Sequence, residues 1–381
     1  MYGRRILWLF VYISFAICFC FAGIAHGAEQ PEIKAESAVL MDVKSGRVLY
    51  AKDAHQRLPQ ASTTKITSAI LALEMGDLQD RITVSKKAAE TGGSAIWLEE
   101  GEVLTLEELL YAMLLSSAND AAAAVAEYIG RTQEDFVKLM NERAAELGAQ
   151  NTHYENPHGL DDDNHYSSAY DLAVLGRHAM QLPRFREIVN TRKKVIPWAG
   201  HEWSRLLLNK NKLVWNRDLY PGANGIKNGF TTPAGNCLVA SAERSGLELV
   251  AVVLDAPNAT DEVIKLFDYG FANFSEIRLA SRGDVVSSLR VAGSKRIDLV
   301  AADDFYAAAR PGEEDHILPV VSAPKNINVG VKRGEIIGRI LYQLNGEIIG
   351  SVNLVAAETV EVETWLGGIW HTFLDIFSLL A

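Results

Sequence analysis

A serine and a lysine three positions apart, Ser62 and Lys65, are the residues of this chain whose types and spacing point most directly to chemistry. They stand at the start of an apolar-periodic run over 66–73 that predicts a helix. Side chains three positions apart on a helix share one face and can meet. A serine alcohol needs a nearby base to act as a nucleophile, and an amine near a helix N-terminus can serve as one. The pair alone is a weak signal, because such a spacing also occurs in ordinary solvated helix turns.

A serine that attacks an acyl carbonyl needs a proton relay, donors for the oxyanion and a cation for any substrate carboxylate. Ser117 and Asn119 lie between two predicted helical segments and offer a hydroxyl and an amide. Within 225–231, Lys227 offers an amine and Gly229 allows the backbone to approach a ligand closely. Each feature is weak by itself, since Ser, Asn and Gly are common turn residues.

The order of these features carries more weight than any one of them. S-x-x-K at 62, S-x-N at 117 and K-x-G at 227 follow one another as in the penicillin-recognising serine enzymes. With them the chain resembles the low-molecular-mass D-alanyl-D-alanine carboxypeptidases, a family of penicillin-binding proteins. The resemblance covers nearly the whole chain and includes the runs 156–160 and 165–171.

The resemblance implies a role for each site residue. Ser62 is expected to form the acyl-enzyme, with Lys65 as its general base. Ser117 and Asn119 are expected to relay protons and bind the substrate backbone, and Lys227 to complete the electrostatics near the substrate carboxylate. The implied substrate-binding set is Lys227, Asn228, Gly229, Phe230 and Thr231, and the implied oxyanion hole is the backbone N–H groups of Ser62 and Phe230. No metal and no cofactor is implied.

Two departures from the family pattern concern the substrate carboxylate. The third motif is usually Lys-Thr-Gly, and here Asn228 replaces the threonine. The family often places an arginine beyond the next hairpin, but the stretch 255–263 contains no basic residue. We therefore expect an acyl-enzyme former with weakened or altered carboxypeptidase turnover. The implied partners are peptidoglycan pentapeptide stems, which lose their terminal D-alanine, and β-lactam antibiotics as covalent inhibitors.

Two other functions stay open at this point. A class A β-lactamase shares the first motif and the fold, but it normally ends after the first domain and needs a glutamate-activated water, for which only Glu155 lies nearby. A catalytically silent protein that holds wall peptides would explain Asn228. The intact set of Ser62, Lys65, Ser117 and Asn119 argues against that function.

The N-terminal segment predicts export. Arg4 and Arg5 precede an apolar run over 6–25, and small residues follow at Ala25 and Gly27, which indicates a signal peptide over 1–27. An uncleaved membrane anchor is the alternative. The net charge of −11 over 381 residues argues against nucleic acid as a partner. Loss of residues 1–27 would leave Cys237 as the single cysteine and therefore no intrachain disulfide.

The elements that must position the site predict an α+β fold. Strand patterns at 38–43, 47–51, 237–242 and 247–254 flank a largely helical region over 105–176, and a helix is expected at 261–271. The economical architecture is one antiparallel sheet built from both ends of residues 28–272, with helices packed on it, as in β-lactamases and transpeptidases. We assign these residues to a serine D,D-peptidase domain.

The rest of the chain changes character. Residues 273–360 form a small all-β domain in this interpretation, with Asn345-Gly346 as a tight hairpin and strands at 285–291, 296–300, 327–331, 336–341 and 348–354. Residues 361–381 predict an amphipathic helix that lies on a membrane surface, the alternative being a core-packed terminal helix. The expected location is exported and peripheral, on the outer face of the bacterial cytoplasmic membrane.

Overall fold

Nine helices are present in the computed structural model, which describes residues 29–293 and 295–361. Their starts follow the capping rules. Thr105 accepts a hydrogen bond from the Glu108 N–H, and the Glu108 carboxylate accepts one from the Thr105 N–H, which is a complete capping box. Thr132 caps a later helix through the Asp135 N–H. The helices are α1 (Lys65–Met75), α2 (Lys86–Ala89), α3 (Leu106–Leu115), α4 (Asn119–Gly130), α5 (Gln133–Glu146), α6 (Ala169–Gln181), α7 (Pro183–Val189), α8 (Lys212–Trp215) and α9 (Ala259–Asn273).

The helical region expected over 105–176 is interrupted. No helix occurs between Glu146, where α5 ends, and Ala169, where α6 begins. Pro157 and several turn-forming residues lie in this stretch. The prediction of a largely helical region is therefore confirmed for 106–146 and 169–181, whereas 147–168 forms a loop that contacts the 3-10 turn at Ala61–Thr64.

A five-stranded antiparallel sheet forms the centre of the first part of the chain, in the order β2-β1-β9-β8-β7. The first and last strands of this part pair directly, with Val39 opposite Val252. The prediction of one sheet built from both ends is confirmed. The strands before α9 are β1 (Ser37–Asp42), β2 (Val48–Lys52), β3 (Arg81–Thr83), β4 (Val103–Thr105), β5 (Lys193–Ile196), β6 (Arg205–Leu208), β7 (Ala223–Thr231), β8 (Gly235–Arg244) and β9 (Leu247–Ala256).

Hydrophobic side chains cover both faces of this sheet. In β1, Val39 and Met41 join the core beneath α1 and α3 to α7, whereas Ala38 and Leu40 join a second core beneath α9. Successive side chains of a strand point to opposite faces, so a strand buried on both sides reads as a continuous apolar run. The two cores hold the sheet between helical layers, which fixes the edge strand β7 relative to α1.

The part of the chain after α9, here called the β domain (275–361), contains eight strands and one short 3-10 turn among its described residues. Asn345 and Gly346 have φ values of 52° and 87° and join two paired strands, which confirms the predicted hairpin. The strand expected at 327–331 is only Asn326–Ile327. The strands are β10 (Ser275–Ala280), β11 (Val285–Val291), β12 (Lys295–Ala301), β13 (Phe305–Ala309), β14 (Ile317–Ser322), β15 (Asn326–Ile327), β16 (Ile336–Leu344) and β17 (Glu347–Ala356).

The β domain is fastened to the turn between β1 and β2. The Ala308 N–H donates to the buried Asp42 carboxylate at 2.9 Å. Arg47 donates to the Ala308 carbonyl and to the Glu313 carboxylate, each at 2.7 Å. A buried carboxylate with a backbone donor and a paired arginine make this junction specific rather than a loose linker.

Two expected segments lie outside the described residues: the signal peptide over 1–27 and, apart from residue 361 itself, the amphipathic helix over 361–381. None of the helices that the structure describes is long and apolar enough to span a membrane.

Candidate active site

The Ser62–Lys65 pair lies where a 3-10 turn, Ala61–Thr64, runs into α1 at Lys65. This turn carries the predicted nucleophile, Ser62, and is called the nucleophile turn below. The Lys65 Nζ lies 3.0 Å from the Ser62 Oγ, so the predicted contact between the two side chains is present. Once the amine is neutral, the same contact allows the hydroxyl to pass its proton to Nζ.

Lys65 is fully buried and is held from three sides. Its Nζ donates to the Asn119 Oδ1 at 2.7 Å and to the His158 carbonyl at 2.5 Å, in addition to its contact with Ser62. Burial lowers the pKa of Lys65 well below its usual value, and repulsion from Lys227 and Lys210 lowers it further. The environment therefore favours the neutral amine, which is the form that a general base requires.

Ser117 and Asn119 lie at the junction of α3 and α4. Ser117 is buried with a φ of 61°, an uncommon backbone conformation for a residue other than glycine. The Ser117 hydroxyl makes no hydrogen bond to another described residue, whereas the Asn119 amide also donates to the Gly92 carbonyl at 2.7 Å. Asn119 is thus fixed by Lys65 on one side and by the loop before β4 on the other.

Residues 225–231, selected from sequence as a candidate ligand-binding segment, lie entirely within the edge strand β7. Lys227 is fully buried, and burial followed by repulsion from Lys210 lowers its pKa to about 7. Its Nζ donates to the Asn228 carbonyl at 2.7 Å. Gly229 lies against the nucleophile turn, where an added Cβ would be 2.9 Å from the Ser62 backbone nitrogen.

The remaining residues of the segment point elsewhere. Phe230 is 64% exposed at the end of the cleft. The Thr231 hydroxyl donates to the Asp161 carboxylate at 2.6 Å and so ties β7 to the loop after α5. The structure thus brings Ser62, Lys65, Asn119, Lys227 and Gly229 together, while Thr231 supports the strand from the side.

The loop between α5 and α6 supplies contacts that the motifs did not reveal. Gly159, with a φ of 87°, lies so close to the Ala61 carbonyl that an added Cβ would be 1.9 Å from its oxygen. His165 shares a hydrogen bond of 2.8 Å with the Thr64 hydroxyl. Burial lowers the pKa of His158 to about 3 and that of His165 to about 4, so both rings are neutral near pH 7. A glycine within the run Asn-Pro-His-Gly was the available sequence signal for this close approach.

A cleft of about 340 Å³ opens beside β7. Asn228, Gly229 and Phe230 form one wall, with Lys210 just before α8 and Lys212 at the first position of α8 also lining the cleft. No cluster of His, Cys, Asp and Glu suited to a metal ion occurs within residues 29–293 and 295–361.

Comparison with known proteins matches this architecture. The family model for D-alanyl-D-alanine carboxypeptidase matches residues 24–258, and that for the C-terminal domain of penicillin-binding protein 5 matches residues 274–362. The chain is 32% identical over 339 residues to D-alanyl-D-alanine carboxypeptidase DacF of Bacillus subtilis, which covers 86% of each chain. It is 30% identical over 383 residues to DacC of Escherichia coli, covering 93% of this chain and 92% of the relative.

Solved structures agree with these relatives. Penicillin-binding protein 5 from Haemophilus influenzae is similar with a TM-score of 0.73 and 30% identity, covering 88% of this chain and all of that chain. Penicillin-binding protein 6B from Escherichia coli is similar with a TM-score of 0.66 and 28% identity, covering 87% of this chain and 98% of that chain. With Ser62 in contact with a buried Lys65 in this fold and relatives along nearly its whole length, the chain belongs to the D-alanyl-D-alanine carboxypeptidase family of serine hydrolases.

Proposed function

We propose that Ser62 is the nucleophile and Lys65 the base of a serine D-alanyl-D-alanine carboxypeptidase that acts on peptidoglycan pentapeptide stems. The Ser62 Oγ attacks the carbonyl of the penultimate D-alanine while its proton passes to the Lys65 Nζ. The peptide C–N bond then breaks and the terminal D-alanine leaves as the protonated amine. Water hydrolyses the resulting ester and restores the serine hydroxyl.

Ser117 is the proposed proton relay to the leaving amine. Its hydroxyl lies within a buried junction and has no described hydrogen-bond partner that would occupy it. Asn119 holds Lys65 through the 2.7 Å contact to its Oδ1. Lys227, within repulsive range of Lys65, keeps the base from retaining its proton and adds positive potential near the substrate.

The backbone N–H groups of Ser62 and Phe230 are the proposed oxyanion hole. The Asn228 carbonyl accepts a hydrogen bond from the Lys227 amine and therefore points away from β8, toward the free edge of β7. Alternate residues of a strand direct their backbone groups to the same side, so the Phe230 N–H faces the same edge. Gly229 lets this edge approach the Ser62 nitrogen. Such donors contribute about 10²–10³-fold in rate.

The 3.0 Å contact between Ser62 and a buried Lys65 carries this proposal, and labelling with a fluorescent penicillin tests it. Wild-type protein is expected to be labelled covalently and to release D-alanine from a pentapeptide ending in D-Ala-D-Ala. Ser62→Ala is expected to lose both activities at an unchanged melting temperature. The half-buried Ser281→Ala in the β domain is the matched control. Labelling of the Ser62→Ala variant would contradict the assignment of the nucleophile.

Penicillin labelling without D-alanine release would instead support the alternative function, a catalytically weakened penicillin-binding protein, which the replacement of threonine by Asn228 suggests. The geometry supports turnover. The Asn228 Oδ1 faces the Lys227 Nζ at 3.5 Å, and its amide NH₂ has no acceptor among the described residues. An NH₂ directed into the cleft can donate to a substrate as a threonine hydroxyl does.

We also propose that β-lactams acylate Ser62 as covalent inhibitors, and that the protein works outside the cytoplasmic membrane. Residues 1–27 support export through their charged start and apolar run. Residues 361–381 support peripheral attachment, since Trp365, Trp370 and Phe373 recur at helical spacing in an otherwise mixed segment.

A further inference from the structure

The cleft beside β7 carries positive charge from lysines that are not among the proposed acyl-transfer residues. Lys210 and Lys212 line it together with Asn228 and Asn258, and no acidic side chain of the described residues does so. The chain as a whole carries a net charge of −11. A cationic cleft on an acidic protein favours an anionic ligand group.

The two lysines alternate along the chain with two asparagines that anchor this segment. Asn209 and Asn211 are buried, whereas Lys210 and Lys212 alternate with them and are exposed. The Asn209 amide donates to the Val189 and Thr191 carbonyls, each at 2.9 Å. The Asn211 amide donates to the Gly225 carbonyl of β7, also at 2.9 Å. Anchored asparagines thus direct both cations toward the cleft.

The two lysines differ in their surroundings. The Lys210 Nζ lies 3.3 Å from the Ser94 hydroxyl, and its charge reaches Lys65 and Lys227. Lys210 therefore lies on the side of the reacting groups. Lys212 makes no side-chain hydrogen bond or ion pair with any residue that the structure describes, so its ammonium group is available to a ligand.

We propose that Lys212 binds the carboxylate of the terminal D-alanine, with the Asn228 amide as a second donor. The inference rests on the proposed carboxypeptidase reaction, whose substrate ends in a free carboxylate one residue beyond the bond that Ser62 attacks. The stretch 255–263 offers no cation on the opposite wall. Specificity for a free carboxyl end thus comes from the start of α8 rather than from the segment after β9.

Paired substrates test this role. One is the peptide diacetyl-L-lysyl-D-alanyl-D-alanine, which has a terminal carboxylate, and the other is diacetyl-L-lysyl-D-alanine methyl ester, which is neutral there. Lys212→Gln is expected to lower kcat/KM for the acid by about tenfold or more, mainly through KM, and to leave ester hydrolysis unchanged. Lys212→Arg is expected to keep most of the activity on the acid, because the charge is retained.

The exposed Lys325→Gln is the matched control, with the same loss of charge in the β domain. An equal fall for acid and ester, or no fall for either, would overturn the role of Lys212. Failure of the carboxypeptidase proposal has a different signature, since wild-type protein would then hydrolyse neither substrate, or Ser62→Ala would still hydrolyse the ester. Raised salt should lower wild-type activity on the acid more than that of Lys212→Gln.

Discussion

Three lysines share one small region of the site, and their proximity lowers the pKa of the proposed base, Lys65. Lys65 and Lys227 are fully buried, and Lys210 lies close enough to lower the pKa of both. An amine whose pKa falls on folding binds fewer protons in the folded state than in the unfolded state, so stability rises with pH. Below the unfolded pKa these groups therefore cost stability, and the same burial and repulsion favour the neutral form of the proposed base.

The pH dependence of acylation follows from these amines. Because Lys65 must be neutral to accept the Ser62 proton, the rate with the neutral methyl ester should fall as pH decreases through the pKa of the base. Lys210→Gln removes a positive neighbour, raises the pKa of Lys65 and Lys227, and should move the acidic limb to higher pH. Stopped-flow ester hydrolysis over a series of pH values on both sides of the pKa of about 7 of the neighbouring Lys227 measures the shift. With Lys325→Gln as control, an unchanged limb or one at lower pH would contradict the coupling.

The sequence was informative about side chains in the motifs and silent about backbone partners. Ser62, Lys65 and Asn119 could be named from spacing, and their mutual contacts are present. The His158 carbonyl, which accepts a hydrogen bond from Lys65, could not be predicted from sequence, because every residue type provides a backbone carbonyl. Lys210 and Lys212 belong to no recognised motif, and only the fold brings them beside β7.

At the scale of single elements, β7 was the strand that the sequence indicated least. Its sequence, ANGIKNGFT, is rich in glycine and asparagine, which are depleted in strands, and the sequence analysis assigned no strand to it. Pairing with β8 overrides that propensity, with Lys227 opposite Val239 and Gly229 opposite Cys237. Glycine is needed at Gly229 because the neighbouring nucleophile turn leaves no room for a side chain, whereas a Cβ at Gly225 would lie 2.8 Å from the Val189 side chain.

Gly229→Ala should separate β7 from the nucleophile turn. The added Cβ would lie 2.9 Å from the Ser62 nitrogen and 3.1 Å from the Gln60 carbonyl, which forces the two oxyanion donors apart. We expect acylation by fluorescent penicillin to slow by about 10²-fold, as when one oxyanion donor is lost. Gly92→Ala is the control, since its Cβ would meet nothing within 4 Å. Wild-type acylation rates in Gly229→Ala would disprove the steric argument.

The loop between α5 and α6 interrupts a region that is otherwise largely helical, as predicted. Its polar groups bind one another and its neighbours: the Asn156 side chain accepts from the Gly159 N–H at 2.7 Å, and the Ser68 hydroxyl donates to the Pro157 carbonyl at 2.6 Å. Such local bonds satisfy the backbone without a helix. Their value lies in presenting the His158 carbonyl to Lys65.

On the scale of the whole molecule, composition indicated a second, β-rich domain but did not indicate its contacts with the first. The β domain was expected from alternating patterns, although β10, β13 and β14 were missed. β13 contains three alanines and β14 contains Pro319, both unusual in strands. The bond between Asp42 and Ala308 spans 266 positions, a separation that no local pattern reports.

Attachment to a membrane through the C-terminal segment predicts a clean separation of binding from catalysis. Deleting Trp365 to Ala381 should release the protein from sedimented membranes, because those residues carry the apolar side chains of the proposed anchor. Penicillin labelling should be unaffected, which serves as the control for folding. Continued sedimentation of the shortened chain would contradict the proposal and assign attachment to residues 1–27 instead.

Cys237 is the one cysteine among the described residues, and its thiol is buried on β8. Burial raises its pKa to about 12, so almost no thiolate exists at neutral pH. Oxidants and alkylating reagents react with thiolates. The native Cys237 thiol should therefore stay reduced and react only slowly with maleimides. A cysteine introduced at the rim of the cleft could then be labelled with a maleimide fluorophore with little labelling of Cys237.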